Sequence, residues 1–345
     1  MTKVNHSAIK YPSTEQFRNV IKNIQNKYRF KGFDENNEPI IDLNETLPTL
    51  KFQGTVKVHG TNGSIVMFED ETIYCQSKER TLAFGCDNAG FWEAMQHVDL
   101  VNLFDFVKKR YYELHGTQPP YPLLIAGEWS GGGIQRGVAV NGLHKFFMIF
   151  GVKCGQEWQP INDYENLKDP ENYIFNATQF PTFEVEIDFN NPSDIQNKLI
   201  ELTENVEREC PVGKFFGNIG VGEGIVWKPM DRELVASPAY WFKVKGDKHS
   251  SSKVKKLASV DTEKLNSIKE FVNYACTESR LLQGIQETGD IDIKKIGEYI
   301  GWVNRDIFKE ESDTLKDNNL EMKDIGKVVS DVARKFYLNK IKENI

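Results

Sequence analysis

The 345-residue chain has little of what marks a metal-finger, secreted or membrane protein. Its cysteines (Cys75, Cys86, Cys154, Cys210 and Cys276) are odd in number and widely scattered, and no CxxC pair or Cys/His cluster occurs. That spacing argues against a structural zinc site and leaves reduced thiols as the simplest reading. No run approaches the roughly 18 apolar residues that suggest a membrane span, and the opening MTKVNHSAIKYPS lacks the apolar stretch of a leader. A soluble protein with a cytoplasmic location is therefore expected. An excess of positive charge is also missing: 43 Lys and Arg face 50 Asp and Glu, a net of −7. This argues against indiscriminate coating of nucleic acid, yet leaves room for a local basic groove, because phosphates are met by patches rather than totals. There is no internal repeat and no low-complexity tract.

What the chain does have is enough apolar and aromatic content, 39% and 12%, to bury a sizeable core. A helix is expected from Ser13, with Gln16 as a capping-box partner and Phe17, Val20, Ile21 and Ile24 on its apolar face. From about residue 50 to 250 the texture is strand-rich: LKFQGTVKV, SIVMF, TIYCQS, PLLIAGEW, KFFMIFGV, TFEVEIDF, EGIVWKP and AYWFKVK are short apolar or alternating runs between Gly, Pro and Asn clusters. Helices are expected over 91–113 and 193–208. The polar, basic KGDKHSSSKVKK then reads as a linker or binding loop. Beyond it Ile293, Ile296, Ile300, Val303 and Ile307 recur at helical spacing, as do Met322, Ile325, Val329, Val332 and Phe336. The prediction is an α+β fold with an antiparallel-sheet domain over 1–250 and a small helical domain over 251–345.

The stretch TVKVHGTNGS, residues 55–64, poses the functional question. Val56 and Val58 face one way; Thr55, Lys57 and His59 face the other, at the end of a strand that turns through Gly60–Gly63. A strand lysine is ordinarily a solvated one. Other features weigh against that here. Glu128 closes the apolar PLLIAGE and precedes WSGGGIQRG, a glycine run that lets backbone approach a ligand. It is not a GxGxxG fingerprint, since no long amphipathic helix follows. Glu223 opens the apolar EGIVWKP, where a buried carboxylate needs a partner, a metal or a ligand. Lys243 and Lys245 share one face of a strand, and such like charges repel unless an anion lies between them. Arg80 follows another strand in SKERT, and Phe150 offers an aromatic plate. Together these suit a lysine that attacks a nucleotide α-phosphate. Such an amine must shed a proton from a starting pKa of roughly 10.4, helped by nearby cations and a metal ion. Lys243 and Lys245 supply positive field and neutralise phosphates. Glu223 and Glu128 are suited to a divalent cation or a ribose, and Phe150 to a base.

In order along the chain, KVHGTN (57–62), AGEWSGGGIQRG, FFMIF, EGIVWKP and KVK resemble the motif set of the covalent nucleotidyltransferase superfamily. With His59 where DNA ligases and capping enzymes usually carry Asp, they look like the RNA ligase 2 family of bacteriophages and trypanosome RNA-editing ligases. The resemblance implies an ATP-dependent RNA ligase whose Lys57 carries AMP. Val58, His59 and Asn62 would belong to the adenylate site, and Arg80 would meet both adenylate and the RNA 5′-phosphate. Glu128 would bind the ribose, Phe150 would stack on adenine, and Lys243 and Lys245 would contact phosphates. Glu223, with Glu128 as a second candidate, would bind Mg²⁺ or Mn²⁺. The partner implied is RNA, as a nicked duplex, met also by Lys248, Lys253, Lys255 and Lys256, with the protein a monomer acting in the cytoplasm (of the host, should the source be viral). The spacer GGG and the unaligned stretch between Phe150 and Glu223 depart from the family pattern. The competing readings are a capping guanylyltransferase or DNA ligase, which normally append a barrel where this chain turns helical, and a non-catalytic RNA-binding relative.

Overall fold

Two antiparallel sheets share the first part of the chain, and the KVHGTN segment is the link between them. In the computed structural model, which describes residues 7–246, 268–289, 291–317 and 320–343, strands and helices follow in this order. The helix α1 (Phe17–Arg29) precedes a hairpin of β1 (Phe30–Phe33) and β2 (Pro39–Ile41). Then come β3 (Thr49–Lys57), β4 (Thr61–Met67) and β5 (Ile73–Ser77), the helices α2 (Phe91–Met95) and α3 (Leu100–His115), and β6 (Leu123–Ser130). The strands β7 (Phe146–Cys154), β8 (Glu157–Gln159), β9 (Ile174–Asn176) and β10 (Thr182–Asp188) lead to α4 (Gln196–Arg208) and α5 (Pro211–Phe215). The strand β11 (Gly224–Pro229), the short helix α6 (Arg232–Val235) and β12 (Phe242–Lys245) complete this part. Four helices follow: α7 (Ile268–Ala275), α8 (Glu278–Thr288), α9 (Ile296–Asp317) and α10 (Met322–Glu343).

One sheet has the order β10-β3-β11-β12; the other runs β5-β4-β6-β7-β8, with β9 added in parallel to β7. Alternation builds both. In β12 Phe242 and Val244 are buried while Lys243 and Lys245 take the other face. In β3 the buried Phe52 packs its ring 5.5 Å from that of Phe242, which meets Phe17 of α1 at 4.7 Å. The larger core lies between the second sheet and α2–α3, where Ile65, Ile125, Phe147 and Ile149 meet Phe91, Phe104 and Val107.

Compact units form over Met1–Val244 and Lys245–Ile345. The second is helical among its described residues beyond β12, with Tyr299, Val303, Ile307, Ile325, Val329 and Tyr337 in its core. Inside it Arg280 is fully buried, yet it donates to Asp306 (2.9 Å), Glu311 (3.3 Å) and the Ala275 carbonyl. Glu311 sits at a kink in α9, at φ −120° and ψ 16°. Among the described residues no helix is long and apolar enough to cross a membrane.

Two helix expectations are corrected. The first helix starts at Phe17, not Ser13, and Gln16 makes no side-chain cap, because the chain before it is extended and bonded to another strand: Glu15 N–H donates to Trp241 O and Glu15 O accepts from Lys243 N–H. The 91–113 helix is two, broken between Met95 and Leu100, where Asp99 caps α3 by accepting the Asn102 N–H. The hairpin β1–β2 and the short strands β8 and β9 had no counterpart in the sequence reading. The basic Lys248, Lys253, Lys255 and Lys256 lie outside the described residues.

Candidate active site

Register sets the site. In the β3–β11 pair Gly224 stands across from Lys57, so no cross-strand side chain crowds the lysine stem. Glu223, just before β11, turns its carboxylate to the amine: Lys57 Nζ donates to Glu223 Oε2 at 2.6 Å, a charge-assisted bond of the strong kind. His59 Nδ1 lies 3.5 Å from the same oxygen. The Glu223 side chain is 1% exposed and that of Lys57 23%, so the carboxylate is buried while the lysine side chain keeps some contact with solvent.

The loop between the sheets is fixed from several sides. The Gly60 N–H donates to Glu128 Oε1 at 3.1 Å, the Gln135 amide donates to Gly60 O at 3.3 Å, and Ser130 Oγ donates to His59 O at 2.8 Å. Glycine is required at 60, because a Cβ there would overlap the Trp129 carbonyl oxygen. In the second sheet Asn62 of β4 pairs directly with Glu128 of β6. Asn62 Nδ2 donates to Gly127 O at 3.4 Å, while its Oδ1 is buried without a partner. An unpaired buried acceptor beside a carboxylate is a place for a ligand donor. Burial, then the Glu223 charge, push the Glu128 carboxyl up to about 7 against the opposing pull of Lys57 and His59.

Phe150 is presented by a bulge. Ala126 pairs with Gly151 and Gly127 with Ile149, which leaves Phe150 as the extra residue of β7. Bulges of this kind re-aim a side chain. Its carbonyl accepts from Lys228 Nζ at 2.9 Å, and that amine lies 4.0 Å over the Trp241 ring, a cation–π geometry. Burial pulls the Lys228 amine down to about 7. Arg80 is exposed on the loop after β5, with its guanidinium donating to Asp87 O at 3.1 Å. That loop is tied to the site by Asn88, which donates to Thr61 Oγ1 (3.0 Å) and Asn62 O (3.1 Å).

The structure thus brings Lys57, His59 and Glu223 into contact and sets Asn62 beside Glu128 at the Gly60 loop, with Phe150 on the adjoining strand and Val58 buried in the loop. Lys243 lies on β12, beyond β11 from Lys57, and Lys245 ends that strand. Lys228, Asn88, Ser130 and Gln135 were missed. Lys228 had a signal, a lysine inside the apolar IVWKP run; the others depend on long-range pairing. Among the described residues no group of three or more His, Cys, Asp or Glu is placed to hold a metal. The two carboxylates do fit a hard cation of the magnesium type, which takes one or two carboxylates and completes its shell with phosphate and water oxygens. Glu128, forced toward neutrality beside Glu223, is the kind of group a divalent charge would relieve.

No curated protein matches the chain. Among solved structures, a mutant of the Naegleria gruberi RNA ligase with ATP and Mn is similar at 16% identity and a TM-score of 0.44, over 69% of this chain and 56% of that one. The same ligase with PPi gives 16% identity and 0.43, over the same shares. The chain therefore spans 56% of the length of those structures. A sequence profile described as RNA ligase matches residues 50–245, more than half of the chain and every motif of the cleft. The chain belongs to the RNA ligase family, within the covalent nucleotidyltransferase superfamily.

Proposed function

We propose that the protein is an ATP-dependent RNA ligase that joins a 3′-hydroxyl to a 5′-phosphate, acting on nicks held in duplex RNA or an RNA–DNA hybrid. The observation that carries this reading is the partly exposed Lys57 side chain with its amine 2.6 Å from the buried Glu223 carboxylate, and Asn62 paired with Glu128 on the strands that follow the same loop. In the first step the amine loses its proton and attacks the α-phosphorus of ATP. A P–N bond forms, the bond to the bridging oxygen breaks, and pyrophosphate leaves with the electron pair. An oxygen of the RNA 5′-phosphate then attacks the lysyl-adenylate and the P–N bond breaks, returning the amine. Finally the 3′-hydroxyl attacks that activated phosphate and AMP departs.

Each side chain has a part in this scheme. Glu223 holds the amine in line in the resting state, and His59 steadies Glu223. Glu223, and secondarily Glu128, would hold a divalent cation, Mg²⁺ or Mn²⁺, which would supply positive charge to draw the carboxylate from the amine and to neutralise the phosphates. Glu128 and the unpaired Asn62 oxygen receive ribose hydroxyl groups, Phe150 stacks on adenine, and Val58 packs beside it. Lys243 and Lys245 contact phosphates, and Arg80 meets the 5′-phosphate from its exposed loop. The helical C-terminal unit docks the duplex through its A-form backbone and 2′-hydroxyls, joined by Lys248, Lys253, Lys255 and Lys256, and the protein works as a monomer.

A sealing assay on nicked duplexes, with RNA or DNA on each side of the nick and ATP with Mg²⁺, tests the reading. Joining is expected where RNA lines the nick. Equal joining of an all-DNA nick would assign the chain to the DNA ligases, self-labelling by GTP in place of ATP to the capping enzymes, and RNA binding with no joining to a non-catalytic relative.

A further inference from the structure

We propose that residues 9–15 form a strap that closes one side of the nucleotide pocket, and that Tyr11, carried by this strap, is a positioning residue for the base platform Phe150. The inference rests on the reading of Phe150 as that platform.

The strap is tied at both ends, and to different sheets. At one end the Ile9 N–H donates to Gln76 Oε1 at 3.0 Å and the Gln76 amide donates back to Ile9 O, so a buried side chain of β5 treats the segment as an added strand. At the other end Glu15 N–H donates to Trp241 O at 3.1 Å and Lys243 N–H donates to Glu15 O at 3.0 Å, a parallel bridge to β12. The chain between therefore crosses from the sheet that carries Glu128 and Phe150 to the sheet that carries Lys57.

Tyr11 lies midway. Its ring meets Phe150 at 5.1 Å with planes 63° apart and Trp158 at 5.2 Å and 79°, both edge-on contacts. An edge-on neighbour opposes rotation of the Phe150 ring without stacking over it, and the ring also packs against the cluster of Val66, Leu124, Ala126, Trp158 and Trp241. The Phe150 backbone is fixed separately, since the bulge carbonyl is taken by Lys228 at 2.9 Å. Ring and backbone are thus held by residues from opposite ends of the domain. Burial, the larger cause, and then the Glu128 carboxyl raise the Tyr11 phenol well above its usual range, so the ring acts as an uncharged neighbour of Phe150.

The test measures ATP-dependent self-adenylylation of the full chain and its reversal by pyrophosphate, in wild type, Tyr11→Ala, Tyr11→Phe and Gln76→Ala. Tyr11→Ala is expected to raise the ATP KM roughly tenfold, the upper range for a lost aromatic edge contact, with kcat held within about twofold. Tyr11→Phe restores the KM, and Gln76→Ala, which frees one end of the strap, raises it part of the way. The pyrophosphate KM stays unchanged throughout, because pyrophosphate has no base to place. An unaltered ATP KM in Tyr11→Ala overturns the inference, as does a parallel rise in both KM values, which marks general loosening of the fold. Should the alanine variant not fold, Tyr11→Leu removes the aromatic edge while keeping apolar volume, and is judged by the same two KM values. A wild-type protein that forms no adduct overturns the ligase reading itself.

Discussion

Glu128 and Glu223 both lie close to the Lys57 amine, and their partners set different tasks for them. Glu223 is bound by Lys57 and flanked by His59, so its charge is answered. Glu128 has the Gly60 N–H as its direct partner, and burial carries its carboxyl up to about 7. A carboxyl whose pKa is higher folded than unfolded adds stability at low pH that fades as pH rises through the folded value. Glu128→Gln should accordingly melt close to wild type near about pH 4 and above it near about pH 8, by thermal denaturation without nucleotide. A melting difference that does not widen with pH would show a carboxylate ionised throughout. For Lys57 the chemistry is stricter. Lys57→Arg keeps the charge beside Glu223, but a guanidinium cannot be deprotonated to attack, so adduct formation should vanish as fully as in Lys57→Ala. Residue types at fixed spacing made Lys57, Glu128, Glu223 and Asn62 legible in the sequence, since their motifs are local. Tyr11 had no such signal: its place depends on Ile9 meeting Gln76, a bond across 67 residues.

Strands and turns decide where those groups point. The turn after β3 carries the chain from one sheet to the other in three residues, Val58–Gly60, and a side chain at 60 has nowhere to go. Gly60→Ala should destabilise the fold by about 1–3 kcal/mol, the usual range for overpacking, and reduce adenylylation beyond what the stability loss explains, since Glu128 is bonded to the Gly60 N–H. Urea unfolding with self-adenylylation on the same samples checks both parts. A fully active, destabilised variant would mean that the loop is scaffold only. Alternation made most strands readable, including the two faces of β12. The bulge at Phe150 was not readable, because the mismatch between β6 and β7 appears only when the strands pair. The break between α2 and α3 escaped for a related reason: apolar residues continue through 91–107 at helical spacing, and the Asp99 cap interrupts them locally.

At the scale of the whole molecule, both sheets with Lys57, Glu128 and Glu223 belong to the unit 1–244, and the helices α7–α10 to the unit 245–345. The change in texture near residue 250 was visible in the sequence, because helical periodicity replaces alternation there. What the second unit contacts was not, since its helices carry no motif. If it docks the duplex, a chain ending at Gly246 should still adenylylate Lys57 within a few-fold of the full chain while sealing of nicked RNA falls by orders of magnitude; equal sealing by the shortened chain would remove RNA docking from the helical unit. The central claim, that the amine at Glu223 becomes bonded to phosphorus, is met most directly by intact mass. After incubation with ATP and Mg²⁺ the wild-type protein should gain one acid-labile AMP, and Lys57→Ala none. A wild-type protein that stays unmodified, or an adduct that persists in the alanine variant, would contradict the account.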